Sequence, residues 1–488
     1  MRRNANIIPF RDFTGGEASV FPIGAMPPRF STTLQNCHVS EKAGIAKMPG
    51  YVRVNSASIG AQLTSGFEFR RTDGTAILLA AGGGSIYKVN SNNELEAIQT
   101  GLNASARVRF AAMNNICIMA NGVDPPMRYD GTLVSTLGGT PPATGFKPHV
   151  HKGRVWMLER GNKMMASHSA LNNPEDWTAA NDAGYIDLKY VLKKGDELLD
   201  IATYMDLLVF FFRSHVVIYS GTNPASPENF QIVQLIEGVG VIDTDLAQHA
   251  GTDLGFLSAE GVKTLRQVVT TGGMNLGDLS ARIDPTIRGE MASGAAYAVG
   301  HYPRLGWLMI LINDKVWVYS YTHKAWARMV GADCSGMFNT VDGRLYLCGN
   351  GFLYKYGEGY SFAGSPMEMK WETGWMTLSR DGRKFFPRLM EIGNYPGSET
   401  EIRLEMRYDY SPPQPEWYTA FSTQQSGLAI DSIEDFDAVN PLDEWMDYTT
   451  RIPLFGGGRS MQMVFSNKTD KGPIEFSSIF IQGILGNL

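Results

Sequence analysis

Cysteine is scarce in this chain: four in 488 residues, at positions 37, 117, 334 and 348, with no C-x-x-C spacing. That excludes a disulfide framework and a structural zinc site and leaves buried, reduced thiols. Excess positive charge is missing too. A net charge of -6 and a pI near 5.8 argue against a protein that grips nucleic acid by neutralising phosphates. DNA could still pass by without being held. The strongest apolar run, Leu207 to Phe212, falls far short of the roughly 20 residues a membrane helix needs, so it reads as a buried strand and no stable membrane insertion is expected. Nor does an apolar segment follow Met1-Arg2-Arg3-Asn4, because Pro9, Arg11 and Asp12 interrupt it, so no secretory signal is expected.

Catalytic signatures are also lacking. There is no G-x-S-x-G elbow and no H-E-x-x-H. Gly82-Gly83-Gly84 lacks a following Lys-Ser or Lys-Thr and sits inside a hairpin, so it reads as a turn rather than a phosphate cradle. Ser379-Arg380-Asp381-Gly382 is a near miss to the sialidase-type turn, which does not repeat. His149-x-His151 places two imidazoles on one strand face as half of a metal site, with no third ligand at a suggestive spacing. Seven carboxylates, Asp431, Glu434, Asp435, Asp437, Asp443, Glu444 and Asp447, crowd one stretch. They read as a solvated acidic loop, with calcium binding or an acidic patch facing a DNA lumen as alternatives. No enzyme, cofactor or metal is expected.

What is present is β-structure punctuated by turns: 53 Gly and 24 Pro are spread along the chain. Between about residues 75 and 360 a short apolar strand, a polar turn and a second strand recur seven times. The copies are Ala76 to Val89, Ile116 to Tyr129, Arg154 to Ala166, Leu207 to Tyr219, Leu254 to Leu265, Trp307 to Tyr319 and Arg344 to Tyr356. Successive copies end about 37 to 54 residues apart, bracketing the spacing of four-stranded propeller blades. A single blade cannot bury both of its faces, whereas blades arranged around an axis cover one another. The fold class expected is therefore all-β: a β-propeller of about seven blades, six being possible, over residues 61–362. A solenoid or sandwich is the alternative use of the hairpins. An extended N-terminal arm is expected over residues 1–60, able to lie on a neighbouring subunit or close the propeller. An antiparallel β-sandwich with long loops is expected over 363–488. One short helix should start at Asp284 as cap, with Pro285 first and Ile287 and Met291 on one face.

Phe13-Thr14-Gly15-Gly16, then Leu34-Gln35-Asn36, then Lys47-Met48-Pro49-Gly50-Tyr51 resemble, in that order, the opening of the packaged-DNA stabilisation proteins of short-tailed phages, also called tail hub or nozzle proteins. Lys47-Met48 stands where a basic pair is common. Val217 to Gly221, Gly238-Val239-Gly240, Gly255 to Ser258, Ser280 to Ile287, Val316 to Tyr319 with Trp326, and Pro453 through Ile481 are similar to later parts of such proteins. The resemblance implies a non-enzymatic virion subunit made in the host bacterial cytoplasm. It would form a six-fold ring beneath the portal and its adaptor ring, retain packaged DNA, pass it at ejection without sequence-specific binding, and offer sites for a spike, fibre or needle. A carbohydrate-binding or glycan-hydrolysing propeller, with a receptor-binding or depolymerase role, is the alternative.

Overall fold

The computed structural model describes residues 6–192, 195–226, 228–267, 274–291, 296–378, 382–396, 400–412, 418–422 and 448–486. They form two compact units. One contains residues 53–314 and 333–356, the other residues 1–52, 315–332 and 357–488.

The run Leu207–Phe212 explains the construction of the first unit. Leu208, Phe210 and Phe212 pack in one apolar cluster with Trp156 and Leu158, while Val209 and Phe211 pack in another with Leu254 and Phe256. Side chains alternate across a strand, so a continuous apolar run means that both faces of its sheet are covered. Val155 and Met157 likewise divide from Trp156 and Leu158, as do Cys117 and Met119 from Ile118 and Ala120. Leu79 and Ala81 divide from Ala80, which packs with Phe338, Tyr346 and Leu353 near the end of the unit.

Each of the first five sheets is a four-stranded antiparallel meander in chain order. Blade 1 runs Leu63–Arg70, Ala76–Gly82, Ser85–Val89, Leu95–Gln99. Blade 2 runs Arg109–Met113, Ile116–Ala120, Met127–Tyr129, Val134–Thr136. Blade 3 runs Gly145–His151, Arg154–Glu159, Met165–His168, Gly184–Asp187. Blade 4 runs Leu198–Tyr204, Leu207–Phe212, His215–Gly221, Phe230–Glu237. Blade 5 runs Ala247–Ala250, Asp253–Ser258, Gly261–Gln267, Met274–Asp278. A sixth blade begins with Tyr297–Tyr302 and Trp307–Ile312, and a seventh contains Gly336–Asn339, Leu345–Cys348 and Leu353–Tyr356.

The seven leading strands neighbour one another in sequence, and the seventh returns to the first. The unit is thus a closed seven-bladed propeller. Chain residues 54–63 clasp the closure. Val54 N–H donates to Leu353 O at 2.8 Å and Leu63 N–H to Gly349 O at 3.0 Å, while the Asn55 amide bonds Gly351 O and accepts from Leu353 N–H. Turns of successive blades are laced together as well, through Thr72 with Asn115, Asn114 with Asn172 O, Lys152 with Asp206, and Glu68 with Val341 N–H.

The helix expected near Asp284 spans Asp284–Glu290, with a correction at its start. Ile283 occupies the cap position, and Asp284 lies in the first turn, where its carboxylate accepts from Ser280 Oγ and pairs with Arg288 at 3.0 Å. Ile287 is buried, whereas Met291 forms the C-cap. A carboxylate inside the first turn answers the positive end of the helix as a cap would. Among the described residues no helix is long and apolar enough to cross a membrane.

The second unit is a two-sheet sandwich. One sheet orders Cys37–Val39, Ile45–Lys47, Ile474–Leu485, Phe385–Pro396 and Tyr448–Pro453, with Asn6–Phe10 also against Ile474–Leu485. The facing sheet includes Phe30–Gln35, Ser365–Thr373, Ser460–Thr469, Glu401–Tyr408 and Tyr418–Ser422. Trp371 stacks on Phe465 at 4.9 Å within one sheet, and both rings meet Phe476 of the other, at 5.8 and 5.3 Å. The segment read as an extended arm is therefore different in residues 6–53: it is six short strands, most of them paired within this sandwich. The sandwich unit correspondingly takes in residues 1–52 and 315–332 as well as those from 357 onward, rather than starting at 363. Strands of two to six residues between turns carry too little periodicity to be seen locally.

Candidate functional site

The leading strands of six of the blades, with the residues just before them, line a cavity of about 330 Å³ at the centre of the ring. Ser65, Arg107, Arg109, Lys147, Asp245, Gln248 and Asn339 are among its walls. Polar residues appear here because these strands face a channel on one side, unlike the second strands of the blades.

Asp245 is the hub of the charges. Its carboxylate pairs with Arg109 Nε at 2.5 Å, Lys147 Nζ at 2.8 Å and Arg107 Nε at 3.8 Å. Lys147 also reaches Asp200 at 3.0 Å. Asp200 is fully buried and accepts from the N–H groups of Ile201, Leu246 and Ala247. Arg109 spends its other donors on Arg107 O and the Thr244 hydroxyl. Burial alone would raise Asp245, but Arg109, Lys147 and Arg107 hold its carboxyl far below the usual carboxylate range. Burial, and then the neighbouring Asp245 charge, push Asp200 upward against the pull of Lys147. Lys147 is drawn down by burial and drawn up more strongly by the two carboxylates, so it stands above the usual lysine value.

Two members of this cluster have left-handed backbones, Lys147 with φ 52° and Asp245 with φ 63°. Lys147 precedes Pro148 and falls where the pairing register of Gly145–His151 shifts between Phe146 and His149. A bulge re-aims a side chain, here turning the ammonium toward Asp245 and Asp200. Lys147 and Pro148 thus belong to an inner strand.

The His149-x-His151 pair lies on that strand. His149 Nε2 is 2.8 Å and His151 Nδ1 3.0 Å from the Thr203 hydroxyl, and His249 Nε2 is 3.1 Å from Thr203 O. Burial, then Lys147, lowers His149 to about 3; burial, then Lys152, lowers His151 to about 4. Both imidazoles are neutral at physiological pH and serve as hydrogen-bond partners between blades. Among the described residues no group of three or more His, Cys, Asp or Glu is placed to hold a metal ion. Gly83 and Gly84 occupy a turn with φ 59° and 77°. Asp431, Glu434, Asp435, Asp437, Asp443, Glu444 and Asp447 lie outside the described residues, as do Ser379, Arg380 and Asp381. All four cysteines are free thiols, and burial pushes Cys348 up to about 12.

The motif residues of the N-terminal segment have structural duties in the sandwich unit. Phe13 is buried edge-on against Trp371 at 5.0 Å. Asn36 bonds Glu368 O at 2.7 Å, Val330 O at 3.1 Å and Val330 N–H at 2.9 Å, saturating a left-handed turn with φ 52°. Gly50 lies so close to Ser361 that a Cβ would overlap its carbonyl oxygen, and Tyr51 stacks on Phe362 at 5.1 Å. Lys47 is 2% exposed, its ammonium donating to Thr469 O at 2.6 Å and Lys471 O at 3.0 Å.

No protein-family model matches this chain, and no curated protein does. Among solved structures it is similar to the extracellular domain of a proposed one-component system from B. thetaiotaomicron, at 9% identity and TM-score 0.45. That match covers 69% of this chain, which spans 43% of the other. Streptogramin B lyase matches at 11% identity and TM-score 0.42, covering 63% of this chain and 96% of the lyase. The WD40 β-propeller domain of Doa1 matches at 10% and 0.40, over 63% and 96%. The propeller assignment itself follows from the closed cycle of blades.

Proposed function

We propose that this chain is a non-enzymatic structural subunit of a short-tailed phage tail, a nozzle or hub protein. It assembles as a six-fold ring against the portal adaptor, retains packaged DNA and forms the conduit for ejection. The resemblance of its ordered motifs supports this reading, and one structural observation carries it furthest: the motif residues act as fasteners of the fold. Phe13, Asn36, Lys47, Gly50 and Tyr51 pack or hydrogen-bond inside the sandwich, in positions suited to preserving a scaffold rather than reacting with a substrate. The clasped, turn-laced ring supplies the stiffness a subunit under load requires.

Light scattering after size exclusion, on the full chain alone and with its candidate adaptor protein, tests the reading. A hexamer, or a ring nucleated by the adaptor, is the expected result. A strict monomer that ignores the adaptor and cleaves surface polysaccharide would overturn it in favour of a glycan-active propeller.

A further inference from the structure

The axial cluster does not balance. Arg107, Arg109 and Lys147 bring three cations to a partly enclosed cavity lined by the Asp245 carboxylate, with the Asp200 carboxylate fully buried against Lys147. Asp200 is already engaged by three backbone N–H groups and Lys147. Arg107 is the least satisfied of the cations. Its Nη1 donates to Tyr297 O at 3.2 Å, its Nε–H is buried without an acceptor in hydrogen-bond range, and no acceptor among the described residues takes its Nη2. Its side chain is 22% exposed, so water solvates it poorly. A poorly solvated charge that is short of hydrogen-bond acceptors is costly, and a counter-ion from solution reduces the cost.

We infer that the axial cavity binds a phosphate group, held by Arg107 beside Lys147 and Arg109, with Gln248 also lining the cavity. The volume of about 330 Å³ admits inorganic phosphate or the phosphate of a small ester and excludes duplex DNA. A guanidinium offers a planar fork matched to phosphate oxygens, and this one has a donor to spare. This site is independent of the tail reading, since it depends only on the propeller axis.

The test titrates inorganic phosphate into the full chain by calorimetry, with ionic strength held constant using chloride. One saturable site per chain is expected, weakened at least about tenfold by Arg107→Gln, the loss typical of a charged hydrogen bond. Arg107→Lys should give an intermediate affinity, and Arg266→Gln, which removes an exposed arginine paired with Asp253, should leave binding unchanged. Absence of saturable binding to the wild type overturns the inference, and so does equal binding by folded Arg107→Gln. If that variant does not fold, thermal unfolding of the wild type at constant ionic strength decides: a rise in midpoint that follows a binding curve at low millimolar phosphate supports the site, and a rise only in proportion to phosphate concentration, as a general salt effect gives, refutes it. A mononucleotide titrated in parallel separates the sources: tighter binding than inorganic phosphate assigns the site to phosphate esters, weaker binding to the free ion.

Discussion

Asp245→Asn keeps the side-chain volume and removes the charge on which Arg109, Lys147 and Arg107 converge. Breaking a buried ion pair from one side typically costs about 3 to 5 kcal/mol, because the partner stays buried. Here Lys147 keeps Asp200, and Arg109 keeps Thr244 and the Arg107 carbonyl, which places the loss near the lower end, about 3 kcal/mol. Urea unfolding of wild type and variant at neutral pH measures it through the midpoint at unchanged slope. The pH dependence provides an independent check. The folded-state pKa of Asp245 is depressed, so its contribution is present above the unfolded carboxylate value of about 3.9 and is lost as pH falls toward the folded value. The gap between wild type and Asp245→Asn should therefore narrow below about pH 4. Phosphate at a hundredfold excess over the dissociation constant should raise the stability of any form that binds it by about 2.7 kcal/mol, wild type included. A loss below about 1 kcal/mol, or a gap that widens on acidification, would refute the view of Asp245 as the electrostatic hub.

Three further outcomes follow from other parts of the structure. Burial lowers Lys47 to about 8, against its ordinary 10.5, so wild-type stability should rise between those pH values as the folded chain ceases to bury a charge; urea midpoints of Lys47→Met should lack that rise. His149 and His151, depressed to about 3 and 4, contribute stability above their ordinary 6.5 that is lost as pH falls toward those folded values; His149→Gln with His151→Gln should flatten the acid limb of the midpoint profile. Phe211→Ala, at the seam between blades 4 and 5, should cost about 3 to 5 kcal/mol in the same assay, whereas Leu133→Ala, at an exposed turn, should cost under about 0.5.

The seven hairpins visible in the sequence coincide with the second and third strand positions of the blades, such as Ala76–Gly82 with Ser85–Val89 and Leu345–Cys348 with Leu353–Tyr356. The second strands, such as Leu207–Phe212 and Trp307–Ile312, are covered on both faces, which makes them almost wholly apolar and therefore conspicuous. The leading strands were harder to see, because one side faces the axis and admits Ser65, Arg109, Lys147 and His149. The axial cluster was invisible for a related reason. Lys147 and Asp245 are 98 residues apart, and only the ring joins them. One local signal existed: Lys147 before Pro148, a charged residue at a restricted backbone position next to two histidines. The N-terminal strands escaped because their partners lie at the far end of the chain, Asn6–Phe10 against Ile479–Gly483 and Leu34 against Trp371.

The placement of the resemblance motifs has a consequence for the proposed ring. Phe13, Asn36, Gly50 and Tyr51 have their side chains or backbones committed within the sandwich, so they cannot also supply the contacts between subunits. Residues that build a fold constrain which chains share it, whereas residues that build an interface determine which chains assemble. If the tail reading is right, chains with the same opening motifs can therefore form rings with different adaptors, and specificity must reside in exposed residues outside those motifs. Ile23, at 79% exposure, and Phe455, at 64%, are large apolar side chains of the sandwich unit that the fold leaves uncovered. Substituting them with Asp should abolish ring formation with the adaptor while leaving the urea midpoint of the isolated chain within about 0.5 kcal/mol of wild type. Motif changes such as Gly50→Ala should do the reverse, lowering stability first and assembly only as a result.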